Sequence, residues 1–394
     1  MEEGGDGVSR WRTSLYIIYQ SGKAVTFPLF SVLSMKSISY LRIVTFVFLT
    51  LCAFGAAIAF IGDSAHLFRS GYEKKIAESL NSNYFVEGVT NYDERLVQKF
   101  RLNGLPVGTK LNTIILGSSR TMQISENLFS TKTINLSVSG AGIEDYLALY
   151  HLAKRFNPKR VVIGVDPWLF NAKSGLGGWK TLTNEFLSES RVLGFSREPI
   201  VRFNEDRWLQ LINITYIKAS LQTNIKARLI AMMNGPNPHD LVITKEENPY
   251  SAKDGLRPDG TRIYNSSRSL QSPYQVEMSA IQYATPPVHL LSGFDGIDKS
   301  RWNLFKTLIL EIVNKSEVVI VLLPFHPASF KRLMEQFSII NNVELELRKF
   351  AADNGLQLIG SYNPGEVGCN KFGFWDGLHP KKSCVSKMIV RKHR

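Results

Sequence analysis

Two short segments far apart in the chain carry residue types that can do acyl chemistry together. The first is Gly117-Ser118-Ser119-Arg120, which follows the apolar run Ile114-Ile115-Leu116 and reads as a buried strand ending in a tight turn. The second is Asp376-Gly377-Leu378-His379, with a carboxylate three residues before an imidazole. A serine hydroxyl is a weak nucleophile until a neighbouring base takes its proton. His379 is the candidate base, and Asp376 the candidate acid that fixes its tautomer and orientation. The competing readings are structural: a solvated turn serine, a surface histidine beside Pro380, and a carboxylate capping a loop or helix.

Elements that would bring these segments together are legible on both sides of a long irregular stretch. Short apolar strands are expected at Asn112–Leu116, Thr133–Leu136, Val161–Val165, Val318–Leu323 and Leu356–Ile359. Apolar residues at 143, 146, 147, 150 and 152 have helical spacing, and further helices are expected at Tyr72–Leu80, Trp302–Val313 and Ser329–Asp353. Strands alternating with helices imply an α/β fold with a mostly parallel sheet covered on both faces. Ligands in such sheets bind beyond the carboxyl ends of the strands. Ser118-Ser119, Ser137–Gly142, Asp166–Asn171 and Pro324–Pro327 all stand at such ends. Residues 172–300 read as an insertion that shapes the site, with a helix near Asp206–Met233 and a turn at Pro258-Asp259-Gly260.

The ordered set of blocks resembles the SGNH/GDSL hydrolase superfamily. Gly117-Ser118-Ser119 matches that family's nucleophile turn, Gly140 or Gly142 its second block, and Asp376 with His379 its closing Asp-x-x-His. The likeness covers roughly residues 112–170 and 302–390, and is nearest to membrane-anchored envelope members that serve polysaccharide acylation. It implies a three-layer, flavodoxin-like sheet and a covalent acyl-Ser119 intermediate. It also implies an oxyanion held by the backbone amides of Ser119 and of Gly140 or Gly142. Such chemistry requires neither metal nor nucleotide cofactor.

One block departs from the family pattern. Where the family carries an oxyanion-donating Asn, Gly164-Val165-Asp166-Pro167 puts Asp166. An ionised carboxylate would repel an oxyanion, which points to a structural Asp166 with Asn171 or another group as donor and leaves a transferase or a degenerate binding cleft as alternatives to a hydrolase. Arg120 is a candidate holder of an anionic substrate, or a partner in a structural ion pair. His326, in Leu323-Pro324-Phe325-His326-Pro327, is a candidate site residue or a loop cap. Trp168 and Trp375 flank site loops as sugar platforms or as core. Gly62-Asp63-Ser64 spells the literal Gly-Asp-Ser motif, but it follows a long apolar segment rather than a short strand, so it is set aside.

Residues Ile43 to Gly62 are twenty in number and uncharged, long enough to cross a bilayer as a helix. The resulting division is an N-terminal arm (1–42), a transmembrane helix (43–62), an approach segment (63–110) and an SGNH-like domain (111–394). The competing reading starts at Met35, with a secretory signal cleaved after Ala57-Ile58-Ala59. Positive charges flank both ends, so orientation rests on the short arm, which points to a single-pass protein with its C-terminal part periplasmic or extracellular. The formal net charge is +13 and the sequence pI about 9.5. That balance favours anionic partners, yet no nucleic-acid module is present, and a basic surface beside a membrane is the simpler account. Cys369 and Cys384 bracket the Asp376–His379 segment, either as a disulfide or as two buried thiols. The partners expected are an envelope polysaccharide or acylated glycan and a membrane-embedded acyl donor. A non-catalytic polysaccharide-binding or assembly protein is the alternative, and a cytosol-facing lipid esterase follows if the orientation is reversed.

Overall fold

The computed structural model describes residues 29–62, 71–128, 131–195, 208–221, 241–248, 250–264 and 266–390. The chain divides into two units, Met1–Phe54 and Gly55–Arg394. The described part of the first belongs to helix Leu29–Gly62, which starts well before the expected residue 43. No proline or glycine interrupts the sequence between Leu29 and Phe54, and Pro28 stands where a helix start tolerates it. Within this helix Ser39–Phe60 is long and apolar enough to cross a membrane, with a mean hydropathy of 2.5. The Gly62-Asp63-Ser64 motif and the arm before Leu29 lie outside the described residues.

Nine strands are described in the second unit: β1 Phe85–Glu87, β2 Thr113–Leu116, β3 Thr133–Asn135, β4 Arg160–Gly164, β5 Val242–Thr244, β6 Gly255–Leu256, β7 Arg262–Ile263, β8 Glu317–Leu322 and β9 Gln357–Gly360. Five form a fully parallel sheet ordered β3-β2-β4-β8-β9. The order reverses between β2 and β4, so a crevice opens at their carboxyl ends. All five expected strands are present, displaced by a residue or so.

Side chains along each strand alternate between two cores, as the pleat requires. Ile114, Leu116, Val161, Ile163, Val318, Ile320 and Leu322 join the larger core, with helices Ile143–Ala153, Lys299–Val313 and Ile339–Asp353. Ile115, Val162, Val319 and Val321 face a much smaller core closed by Val385 and Met388 of helix Lys382–Val390. Cys369 and Cys384 belong to this smaller core and are joined by a disulfide, their Cα atoms 5.4 Å apart.

Three expectations change. The helix expected over Ser329–Asp353 is two, Pro327–Gln336 and Ile339–Asp353, because Phe337 leaves helical backbone at φ −134°, ψ 69°. Each half then turns its own apolar residues, Leu333 or Ile340, Val343 and Leu347, into the core. The approach segment is part of the domain. Helices Tyr72–Asn81 and Glu94–Gly104 bury Ile76, Ala77, Leu80 and Val97 in a third core with Val86 and Leu256. The insertion supplies β5, β6 and β7, which pair with β1 in an antiparallel sheet ordered β5-β1-β6-β7. The expected turn at Pro258–Gly260 links β6 to β7. The Asp259 carbonyl accepts from Asn135 N–H at 2.7 Å, so this turn covers the open edge strand β3. Of the helix expected near Asp206–Met233, residues Ile214–Ser220 are helical and most of the remainder lies outside the described residues.

Candidate active site

Strand β2 ends at Leu116, and the chain turns through Gly117 into a single 3-10 turn, Ser119–Gln123. Gly117 is required here: a Cβ at that position would stand 2.3 Å from Thr121 Oγ1. Ser118 is buried and caps the turn, its Oγ accepting from Arg120 N–H at 3.2 Å. Ser119, one residue on, is the member of the pair that is partly exposed. As the first residue of the turn it has no partner for its N–H within the turn.

The Asp376–His379 loop comes back to meet it. Ser119 Oγ and His379 Nε2 are 2.9 Å apart, across 260 residues of sequence. His379 Nδ1 lies 2.9 and 2.8 Å from the two carboxylate oxygens of Asp376. Asp376 also folds its own loop, accepting from the N–H groups of Leu378 (2.8 Å) and His379 (2.9 Å). Burial alone would raise the Asp376 carboxyl, but the adjacent imidazole and these two N–H groups outweigh it and hold the group well below the usual carboxylate range. An ionised Asp376 only accepts hydrogen bonds. Nδ1 therefore carries a proton, and in the neutral ring that leaves the Nε2 lone pair to face the Ser119 hydroxyl. Gly377 has a packing reason: a Cβ there would lie 2.6 Å from Ser329 Oγ and 2.9 Å from Ala280 Cα.

Of the two readings of Arg120 the structure shows the ion pair; its partner is Asp166, and the two together form the floor. Their ion pair is 2.7 Å long, and the two side chains are 0% and 5% exposed. Arg120 Nε donates to the Leu378 carbonyl at 3.1 Å, and Nη2 to the Leu323 carbonyl. Its guanidinium lies over the Phe325 ring, 4.2 Å from the centroid. Arg120 thus joins the turn after β2 to the ends of β4 and β8 and to the Asp376–His379 loop. Asp166 is neutralised by this partner, which removes the unpaired carboxylate that its position in the sequence suggested.

Asn171, expected as a substitute donor, is committed elsewhere. Its Nδ2 donates to the Leu290 and Ser292 carbonyls at 2.8 and 3.4 Å, and its Oδ1 accepts from Lys173 N–H at 2.9 Å. Of the two glycines, Gly142 donates its N–H to Asp145 Oδ2 at 2.9 Å and starts helix Ile143–Ala153. Gly140 adopts φ +57°. The Ser139 carbonyl before it accepts from Arg95 Nη2 at 3.0 Å. In a trans peptide the Gly140 N–H must then point away from Arg95.

His326 caps helix Pro327–Gln336, its Nδ1 accepting from Ala328 N–H at 3.1 Å. Its own N–H donates to the Gly377 carbonyl at 3.2 Å, so it braces the Asp376–His379 loop. Burial pushes its imidazole below the usual histidine value. Trp168 is a core residue, 2% exposed. Trp375 is partly exposed and packs on Tyr264 at 5.2 Å, with Lys381 Nζ 4.9 Å from its ring centroid.

Some of the surroundings were not foreseen from sequence. Tyr264, just after β7, lies with its ring 6.2 Å from that of His379, and Arg268 Nη1 stands 3.5 Å from Asp376 Oδ2. Arg95, in the segment read as a linker, orients the Gly140 loop through a two-pronged contact with Asp145, at 2.7 and 3.0 Å. Its one local signal was Asp93, which does cap the Glu94–Gly104 helix. Among the described residues no group of three or more His, Cys, Asp or Glu is arranged to hold a metal ion. No family model matches the chain, and no curated protein matches it significantly.

Proposed function

We propose that this protein is a membrane-anchored serine esterase or O-acyltransferase that acts on acyl esters of a cell-envelope glycan. The observation that carries this reading is the continuous chain Ser119 Oγ–His379 Nε2, His379 Nδ1–Asp376, with contacts of 2.9 and 2.8 Å. Two hydrogen-bonded contacts in series, ending on an ionised acid at a strand-end crevice, are what a general base needs to activate a hydroxyl.

In this reading Ser119 Oγ attacks the acyl carbonyl as its proton passes to His379 Nε2. Asp376 stays ionised and stabilises the imidazolium. The N–H groups of Ser119 and Gly140 receive the oxyanion; Gly142, engaged by Asp145, does not. The imidazolium then protonates the departing alkoxide, leaving acyl-Ser119. Water or a sugar hydroxyl gives its proton to His379, attacks the acyl carbon and releases Ser119. Asp166, paired with Arg120, no longer opposes an oxyanion.

Three further features support the family and the compartment. The five parallel strands have the order 2-1-3-4-5 when numbered along the chain, the order of flavodoxin-like sheets. The Ser119, Gly140 and Asp376/His379 blocks fall where the SGNH pattern expects them. A disulfide within the domain, together with the apolar span, suits an oxidising compartment outside the cytosol.

A fluorophosphonate probe tests the nucleophile. Full-length wild type should label covalently, and Ser119→Ala should not. Folded wild-type protein that resists the probe overturns the reading, and glycan binding retained without labelling would make the protein a binding module. Protease access in spheroplasts decides the orientation.

A further inference from the structure

Among the described residues outside the site and the apolar span, 208–221 carry a cluster of exposed apolar side chains. Trp208, Leu209, Ile212 and Ile214 are 51%, 59%, 66% and 82% exposed, and Leu221 is 42% exposed. Five large apolar side chains in fourteen residues is a concentration that water-facing segments rarely carry. The segment is ordered by its own chemistry. Asn213 caps the short helix Ile214–Ser220, its Oδ1 accepting from Thr215 and Tyr216 N–H at 2.9 and 3.2 Å. Tyr216 and Ser220, one turn apart, face inward at 8% and 0% exposure.

What this helix packs on points to its surroundings. Ile217 Cδ1 would lie 3.1 Å from a Cβ built at Gly55. Ala59, one turn further along the anchor helix, is 0% exposed, whereas the neighbouring Phe54 and Phe60 stay 66% and 50% exposed. A side chain of a second helix, Ile217, standing against a small residue, Gly55, is the kind of contact that lipid-embedded helices use. Gly55 lies five residues inside the end of the Ser39–Phe60 span. At 1.5 Å per residue Ile217 is therefore about 7.5 Å below that end. That is the depth at which interfacial helices bury their apolar faces, roughly 5–10 Å into the headgroup and acyl boundary.

We propose that residues 208–221 are a second membrane-embedded element, seated against the end of the anchor helix with Leu209, Ile212, Ile214 and Leu221 in the lipid. The occupant of this surface is the bilayer that holds the span, because Ile217 of the same short helix stands against Gly55, a residue inside the span. Lys218, exposed beside Ile214, extends its apolar stem through this layer and reaches the headgroups with its amine. The proposal rests on reading Ser39–Phe60 as membrane-spanning and is independent of the acyl chemistry.

The test uses the full-length chain. Cys52 is the one free cysteine, so Cys52→Ser gives a background without reactive thiols. Single replacements Ile212→Cys and Ile214→Cys, labelled with a nitrobenzoxadiazole probe, are reconstituted in phosphatidylcholine–phosphatidylglycerol vesicles. Lipids carrying a nitroxide on the upper acyl chain should quench both probes about twofold or more, with blue-shifted emission, as for any group at the acyl boundary. Val107→Cys, on a loop position 106% exposed, should remain unquenched with water-like emission. Val47→Cys, within the span, reports on the span itself and should be quenched by deep nitroxides. Quenching at Val47 but water-like emission at 212 and 214 overturns the proposal; loss at Val47 overturns the span reading. Blue-shifted probes at 212 and 214 that lipid nitroxides do not quench would mean a protein partner or a second copy on this surface, and would likewise overturn it.

Discussion

The Asp376–His379 loop and the Arg120–Asp166 floor beneath it each join a carboxylate to a nitrogen base at under 3 Å, at the same edge of the same sheet. They differ in solvent access and in what else the base touches. His379 and Asp376 keep 18% and 23% of their side-chain surfaces exposed, and Nε2 is left facing a hydroxyl. Arg120 and Asp166 are sealed, and the other guanidinium contacts go to carbonyls and an aromatic face. A base with a free lone pair at a partly open edge can move a proton. A guanidinium whose donors are engaged by the protein fixes geometry. The residue types alone do not separate these roles, since Arg120 directly follows Ser119 in sequence.

The comparison is broken most severely from the reactive side. Ser119→Ala should lower turnover of an activated acyl ester roughly 10³–10⁶-fold while leaving thermal unfolding in detergent unchanged. Removing one member of the floor should do the reverse first. Arg120→Ala strands the Asp166 carboxylate and should cost about 3–5 kcal/mol in unfolding free energy, whereas Arg120→Met combined with Asp166→Leu should cost far less. If the single replacement is as stable as wild type, Arg120 is not the clamp described here.

The thin face of the sheet is next. Replacing Cys369 and Cys384 by Ala opens a loop of 15 residues around the Asp376–His379 segment, with an expected loss of about 3 kcal/mol by denaturant titration. For Asp376 the sign of the pH effect is fixed by its lowered carboxyl. A folded-state value below the unfolded one adds stability that is fully present above about pH 4 and is lost as pH falls through the folded value. The melting-temperature gap between wild type and Asp376→Asn should therefore be widest at neutral pH and close in strong acid. The smallest effect belongs to Arg268, whose side chain is 38% exposed at 3.5 Å from Asp376. Arg268→Ala should change stability by about 0–1 kcal/mol, and less in high salt.

Legibility in the sequence followed element length and locality. Strands β2, β4 and β8 each carry an apolar run after their first residue, and helix Ile143–Ala153 repeats its apolar residues at helical spacing, so each announces itself. Strands β5, β6 and β7 are two or three residues long and exist because β1 pairs with two of them across more than 150 residues; no local pattern marks them. Arg95 and Glu94 hold the Gly140 loop from a segment that reads as a linker, since an exposed-looking charged helix gives no sign of what its charges will meet.

By itself the sequence determined the alternating strand–helix frame and the apolar span, and it marked a serine turn and an Asp-x-x-His loop as candidate partners, because periodicity and short-range spacing carry that information. Only the tertiary structure decided which of two adjacent serines is accessible, that Gly142's amide is occupied while Gly140's is turned away from Arg95, and that Asp166 meets a buried guanidinium. Apart from the local Gly142–Asp145 contact, those outcomes depend on contacts between residues 44 to 260 positions apart. Whether a charge is stranded or neutralised is set by what the fold brings within about 3 Å of it, and chain spacing does not encode that.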